Sequence, residues 1–591
     1  MVYDLLNASV REKSPVERGI TALRTYLGDE GASLLQPLIP KAGEAAAFRF
    51  PLPEDYAGVQ RWLRIAFPTT FPRSALRLRV EPSPWLVWPH AMETGLCLHG
   101  FRQKPVTGTP ETIVNDSLSR LRKIVGMSLP TADANHRKEE FQREAMSYWR
   151  LQQTQSAQGV TLLRRLSGSG ELFAVTDPRM GRQQGAEAIW LSDDTVAIGK
   201  HLELATGLRI KIRSPAKAAF YAKLKSYPDI KAPAPGELFA WLGPHLSKAD
   251  NSKLLFWFGQ SSSLASRWIA LELPGDSGAP IYCINLRDRS LQKDRNSRLG
   301  VRAGRRLPSS SAQPSLLVRS AVINVLDRTE VFSRDRSSNL VALEKTNVVV
   351  VGQGSLGSPV ALHLARAGIG NLTLIDPDEL IASNLGRHVL GADELGQNKA
   401  LAMRNRLHRD IAIVKVKAIP THVELALFNE PDVFKQADVV IVTSADWESE
   451  TTLWRVKSEG AKWALVQAWS EPHAIVGHAL LAPTVKADAR PLFRDDGTFR
   501  NKYTNWFKGD SVPLPACGQS FIPGGGLGMS YIASMVSGVV IRHLTSGTDR
   551  PLWISSINNP QSVDALHGEY VGPDFPENTM GMTIERPWPR N

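Results

Sequence analysis

Cysteine is nearly absent: Cys97, Cys283 and Cys517 are the only three in 591 residues, and no two stand in a CxxC spacing. A disulfide framework is thereby excluded, and a reducing, cytoplasmic setting fits. The chain also lacks an N-terminal apolar segment and any unbroken apolar run of about 18 residues, so neither export nor a membrane span is expected. No internal repeat is evident. The rest is ordinary for globular proteins, with 42% hydrophobic and 22% charged residues, and the length allows three or four domains.

Basic residues outnumber acidic ones, 70 to 58, for a net charge of +12. The excess is densest from Arg287 to Arg306, with no zinc finger or recognition helix beside it. A solvated linker is the first reading of that stretch, an acidic partner surface the second, and nucleic acid the last.

The most informative segment runs from Asn347 to Asp378. Four valines, Val348 to Val351, enter the turn Gly352-Gln353-Gly354-Ser355-Leu356-Gly357. An Ala/Leu helix follows, then an apolar strand, Leu372 to Ile375, ending on Asp376. This is the pattern of a βαβ nucleotide-binding unit, whose glycines let the backbone approach a phosphate at the helix N-terminus. Asp376, 19 residues past the last glycine, stands where an acidic side chain takes ribose hydroxyls. Downstream come Ser383-Asn384-Leu385-Gly386-Arg387, Gly396-Gln397-Asn398-Lys399, and a strand from Asp438 to Thr443 that leads to Asp446. An Arg and a Lys beside the loop suit a triphosphate, and Asp446 suits a bridging magnesium ion. A NAD-dependent oxidoreductase would leave that set without a role, so ATP and Mg2+ are expected.

The order GxGxxG, acidic strand end, SNLxR, GxxK and a later Asp resembles the ThiF-type adenylating domain of ubiquitin-activating enzymes. The resemblance implies that the C-terminal glycine carboxylate of a ubiquitin-like protein attacks the α-phosphate of ATP, giving an acyl adenylate and pyrophosphate. It assigns Asp376 to the ribose, Asn384, Arg387 and Lys399 to the phosphates, and Asp446 to magnesium, with Gly352, Gly354 and Gly357 forming the loop. Arg328, 24 residues before Gly352, stands close to where the family keeps an arginine that reaches into a nucleotide site, often the partner subunit's. A solvated helix charge is the equal alternative for Arg328. The zinc that many members hold in two CxxC motifs is missing here, and a homodimer is implied by analogy.

Near the start, Phe67-Pro68-Thr69-Thr70-Phe71-Pro72 precedes a strand-like alternation, Ala75 to Val80. Then come Trp88-Pro89-His90 and Gly95-Leu96-Cys97-Leu98, and Thr109-Pro110 opens an amphipathic helix with apolar Ile113, Leu118, Leu121 and Ile124. This order resembles a ubiquitin-conjugating domain, with Cys97 as thioester acceptor. Two departures stand out: His90 occupies the place of the family's oxyanion asparagine, and the glycine is one residue nearer the cysteine. Cys97 is also readable as a small buried hydrophobe, and His90 as a packing residue.

Cys517, in Pro513-Leu514-Pro515-Ala516-Cys517-Gly518, precedes a small-residue helix from Met529 to Leu544. Activating enzymes keep a thioester cysteine in that order, and an inert loop thiol is the alternative. Cys283 reads as a strand-core residue. The fold class expected is α/β: a ubiquitin-conjugating-like α+β domain over 1–150, a middle α+β linker domain over 151–315, and a Rossmann-like ThiF adenylation domain over 316–591. A polar helix, Asn135 to Gln155, closes the first domain. In the middle, Ala188 to Leu191, Leu254 to Phe258 and Trp268 to Leu273 read as strands and Ala216 to Lys225 as a helix, while a lead-in helix is expected from about 316.

The layout, conjugating domain first and activating domain last, resembles the fused enzymes of CBASS antiphage operons. It implies adenylation of a ubiquitin-like protein or a cGAS-like nucleotidyltransferase ending in glycine, then relay from Cys517 to Cys97 and on to a target amine. A sulfur-carrier adenylyltransferase and a binding module with an inactive conjugating-like domain remain open.

Overall fold

The computed structural model describes residues 13–93, 95–98, 107–152, 159–177, 188–206, 212, 216–275, 278–288, 316–334, 340–483, 487–513 and 520–589. Cys517 and the basic stretch 289–306 lie outside the described residues. The chain forms two compact units, one of residues 1–159, 166–171 and 217–323, the other of 160–165, 172–216 and 324–591. The segment expected as a separate middle domain is therefore divided between them.

The first unit opens with α1 (Pro15–Ser33), started by a Ser14/Glu17 capping box. An antiparallel meander follows: β1 (Gln36–Leu38), β2 (Glu44–Pro51), β3 (Trp62–Pro68) and β4 (Arg77–Glu81). The alternation read at Ala75 to Val80 places Leu78 and Val80 in the core and Arg77 and Arg79 outward. α2 (Pro110–Ser128) starts at Thr109 as expected and buries Ile113, Leu118, Leu121 and Ile124 against Leu23, Ile65 and Phe67. The polar segment after it is two helices, α3 (Ala134–Arg143) and α4 (Ala145–Leu151), broken at Glu144.

Strands β5 (Gly159–Leu162), β6 (Gly170–Thr176) and β7 (Ile189–Ser192) come next, β7 pairing parallel to β5 and antiparallel to β6. α5 (Thr195–Thr206) follows. Beyond it, β8 (Ala219–Lys223), β9 (Ser266–Glu272), β10 (Ile281–Asp288) and β11 (Leu316–Val325) lie side by side. Three expectations fail here. Ala219 to Lys223 is a strand although its alanines favour helix, because Phe220 and Tyr221 are wholly buried in the sheet and tertiary packing overrides propensity. Leu254 to Phe258 lies within the helix α6 (Lys248–Gln260), capped by Ser247, which buries Leu254 and Trp257 at an i, i+3 spacing. The lead-in at 316 is β11, not a helix. Cys283 sits in β10, wholly buried as expected.

The second unit is built on one eight-stranded sheet. Its elements are β12 (Asn347–Val351), α7 (Gly357–Arg366), β13 (Asn371–Ile375), α8 (Lys399–Asp410), β14 (Lys415–Ile419), β15 (Val439–Val442), α9 (Trp447–Ser458), β16 (Ala464–Ser470), β17 (Val476–Ala482), α10 (Gly526–Ser546), β18 (Leu552–Asn558) and β19 (Gly581–Pro587). The strand order is β14-β13-β12-β15-β16-β17-β18-β19, with the first five parallel and the rest antiparallel. Continuous valine runs suit β12 and β15 because both faces of a parallel sheet are covered. One sequence reading needs correction: α10, with a mean hydropathy of 1.3, is long and apolar enough to cross a membrane by length and composition. Its Met529, Ile532, Ala533, Val536 and Val540 instead enter the core with α7 and β17.

Candidate functional site

The strand order reverses beside β12, and the loop after that strand forms a cleft of about 190 Å3. Two glycines shape it for different reasons. Gly352 has φ +85°, and a Cβ there would come within 2.8 Å of the backbone at Thr443 and Ser444. Gly357 lies under the loop, where a Cβ would meet the Gly352 carbonyl oxygen at 1.8 Å. A Cβ built on Gly354 would meet nothing within 4 Å, so its open side faces the space a ligand can enter. Thr443 Oγ1 donates to the Gly352 carbonyl at 3.0 Å and ties the loop to β15.

Asp376, at the end of β13, accepts the Gln353 N–H at 2.5 Å and the Asp378 N–H at 2.8 Å. Burial still raises its pKa, the two backbone donors opposing that effect. Lys399 begins α8, and its ammonium reaches the Asp378 carboxylate at 2.9 Å. Asn398 caps that helix, accepting from the Leu401 N–H at 3.1 Å. Across the cleft, Asp446 caps α9 and accepts from the Ser449 N–H at 3.1 Å and hydroxyl at 2.5 Å. Ser444 Oγ, also in the wall, is buried without a hydrogen-bond partner among the described residues. Behind it Glu450 is raised to about 8, chiefly by burial and then by the Asp446 charge.

Of the expected residues, Gly352, Gly354, Asp376, Lys399 and Asp446 line one cleft. Asn384 and Arg387 do not line it; Asn384 Oδ1 accepts from the Ile381 N–H at 3.2 Å and shapes its own turn. Arg328 is neither a solvated charge nor part of this lining: its guanidinium binds the Gly368 carbonyl and lies 3.6 Å from Glu344. Among the described residues no group of three or more His, Cys, Asp or Glu is arranged to hold a metal ion. One carboxylate is nonetheless enough for Mg2+, which takes one or two from protein and the rest from phosphate and water, so Asp446 fits.

A second site surrounds Cys97. A buried Asp55–Arg61 pair at 2.6 Å also accepts Trp88 Nε1 at 2.8 Å, and this pins the turn that carries His90 at φ +61°. The His90 carbonyl accepts the Cys97 N–H at 2.7 Å. His90 Nε2 lies 3.2 Å from Glu140, and Nδ1 lies 3.0 Å from Glu144 without hydrogen-bond alignment. His90 is raised to about 10, first by a hydrogen bond with Cys97 and next by Glu144. Cys97 is half-buried and borders a cleft of about 690 Å3, unlike Cys283, whose thiol burial pushes up. Sequence reasoning missed Glu140 and Glu144, whose spacing of four on a polar helical stretch was the available signal.

Residues 327–460 match the ThiF family. The chain carries a ThiF domain. The match spans the phosphate loop, Asp376, Lys399 and Asp446. The sulfur carrier protein adenylyltransferase of Thermus thermophilus is 37% identical over 103 residues, 17% of this chain and 37% of that protein. The ATP-dependent ubiquitin transferase-like protein Cap2 of Pseudomonas aeruginosa is 28% identical over 249 residues, 41% of either chain. A crystal structure of MccB from E. coli with ATP aligns at 19% identity and a TM-score of 0.26, covering 36% of this chain and 61% of that one. A TM-score that low decides nothing about this chain. Each of these sequence matches spans less than half of its relative's length.

Proposed function

We propose that the chain is an ATP-dependent activating and conjugating transferase for a carrier protein that ends in glycine. The observation that carries this reading is the convergence of the Gly352–Gly357 loop, Asp376, Lys399 and Asp446 on one cleft inside the ThiF domain. The backbone N–H groups around open Gly354 and the start of α7 favour a phosphate. Lys399 adds charge, Asp376 is placed for ribose hydroxyls, and Asp446 would hold Mg2+, which supplies charge neutralisation on the phosphates.

In the first step a carboxylate oxygen of the carrier bonds the α-phosphorus and pyrophosphate leaves. A cysteine sulfur then bonds the acyl carbon and AMP leaves, and we assign this to Cys517. Transfer to Cys97 exchanges one carbon–sulfur bond for another, and a target amine finally takes the acyl group as an amide. The resemblance to conjugating–activating fusions supports a ubiquitin-like or cGAS-like carrier, a homodimer, cytoplasmic location and a role in antiphage defence.

The test is to incubate the protein with Mg-ATP and the product of the neighbouring gene, and to follow thiol-sensitive adducts by mass spectrometry. Adducts on both cysteines, with that on Cys97 lost in Cys517→Ala, are expected. An adduct on Cys517 alone would reduce the N-terminal domain to a docking module. ATP consumption without any adduct would favour a sulfur-carrier adenylyltransferase, the reading that the similarity to the Thermus protein supports.

A further inference from the structure

Three buried polar atoms beside Cys97 have no aligned hydrogen-bond partner among the described residues: His90 Nδ1, Glu144 Oε2 and Tyr148 Oη. Tyr148 is wholly buried, held between Trp85 and Phe141 at ring distances of 5.4 and 5.5 Å. The His90 ring lies between two carboxylates, Glu140 at 3.2 Å and Glu144 at 3.0 Å. Imidazole flanked in this way gains its proton because both neighbours favour the cation.

We propose that Glu140 and Glu144 are positioning residues that keep the His90 ring a cation, so that His90 stabilises negative charge on the Cys97 sulfur. A charged N–H donor holds an anion about twice as strongly as a neutral one. In discharge, the amine nitrogen bonds the acyl carbon, the carbon–sulfur bond breaks, and the sulfur keeps the electron pair beside the imidazolium. The amine proton passes to solvent. His90 then acts as a donor and not as the base.

The other groups facing this cluster act against it. Arg120 and Lys123 of α2 and His136 and Arg143 of α3 line the same cleft, and Arg143 pairs with Glu140. With the two carboxylates removed, those cations would favour the neutral ring. Beside the Cys97 sulfur itself, the glutamates are therefore the groups that hold the charge on the ring.

The experiment measures alkylation of Cys97 by iodoacetamide from pH 5 to 9 in the full chain carrying Cys517→Ala, with the modified site read by mass spectrometry. Alkylation needs neither ATP nor a carrier, so its outcome is separate from that of the relay. Glu140→Gln with Glu144→Gln should move the midpoint of the rate profile up by roughly one pH unit or more. Exposed Glu139→Gln should leave the profile in place. In a His90→Gln background the glutamate substitutions should add nothing, since they act through the ring. A double-glutamate profile that superimposes on that of the Cys517→Ala parent would overturn the proposal, as would an equal shift without His90.

Discussion

At Gly354 and Gly357 the same substitution has opposite meanings. A Cβ at Gly357 would collide with backbone, whereas one at Gly354 meets nothing within 4 Å. Gly357→Ala is expected to lower stability by about 1–3 kcal/mol or more, read from a urea melt. Gly354→Ala should leave the melt unchanged while weakening ATP binding about tenfold or more by calorimetry, because its cost falls on the ligand's approach. Glu450 offers a pH test. Its folded value, about 8, lies above the ordinary 4.5, so the native state holds a proton that the unfolded chain releases. Its contribution is complete below about pH 4.5 and is lost as pH rises to about 8. Glu450→Gln should flatten that part of the stability profile by on the order of a few kcal/mol, measured as urea midpoints at pH 5 and 8.

Among elements, α10 shows why composition alone misleads. An apolar helix of this length suits a membrane or a core, and the packing decides. Gly477 in β17 makes room for it, since a Cβ there would strike Ile532 at 2.4 Å. Ile532 is wholly buried, so Ile532→Ala should cost about 2–5 kcal/mol in a denaturant melt, with the cavity term included. The pair α3 and α4 carries the other lesson. Read as one polar closing helix, it breaks at Glu144, and that break sets Glu140 and Glu144 on the two sides of the His90 ring. Trp149 of α4 packs against Tyr282 at 5.1 Å, so the sheet after the N-terminal meander holds the helix beside the Cys97 site. That sheet had no function legible in sequence.

For the whole molecule, a net charge of +12 would make long-range attraction to the proposed carrier, where that carrier is acidic, a rate effect. Raising salt from about 50 to 500 mM should slow carrier loading several-fold while leaving saturating ATP turnover without carrier nearly unchanged. The sequence by itself showed the ThiF domain and singled out Gly352, Gly354, Asp376, Lys399 and Asp446, which share one cleft, because a tight strand-to-helix turn needs glycine at fixed spacing and the other residues follow the strands in order. It also marked Cys97 and His90, from the turn and the short run to the cysteine. What it could not determine was anything set by contact between distant segments. Arg328 is bound by a carbonyl 40 residues away, and Ala219 to Lys223 became a strand because the sheet buried it. The two glutamates lie 43 and 47 positions beyond Cys97. Only the tertiary structure brings them to His90, because hydrophobic packing of Tyr148 and Trp149, not local propensity, fixes where their helices end.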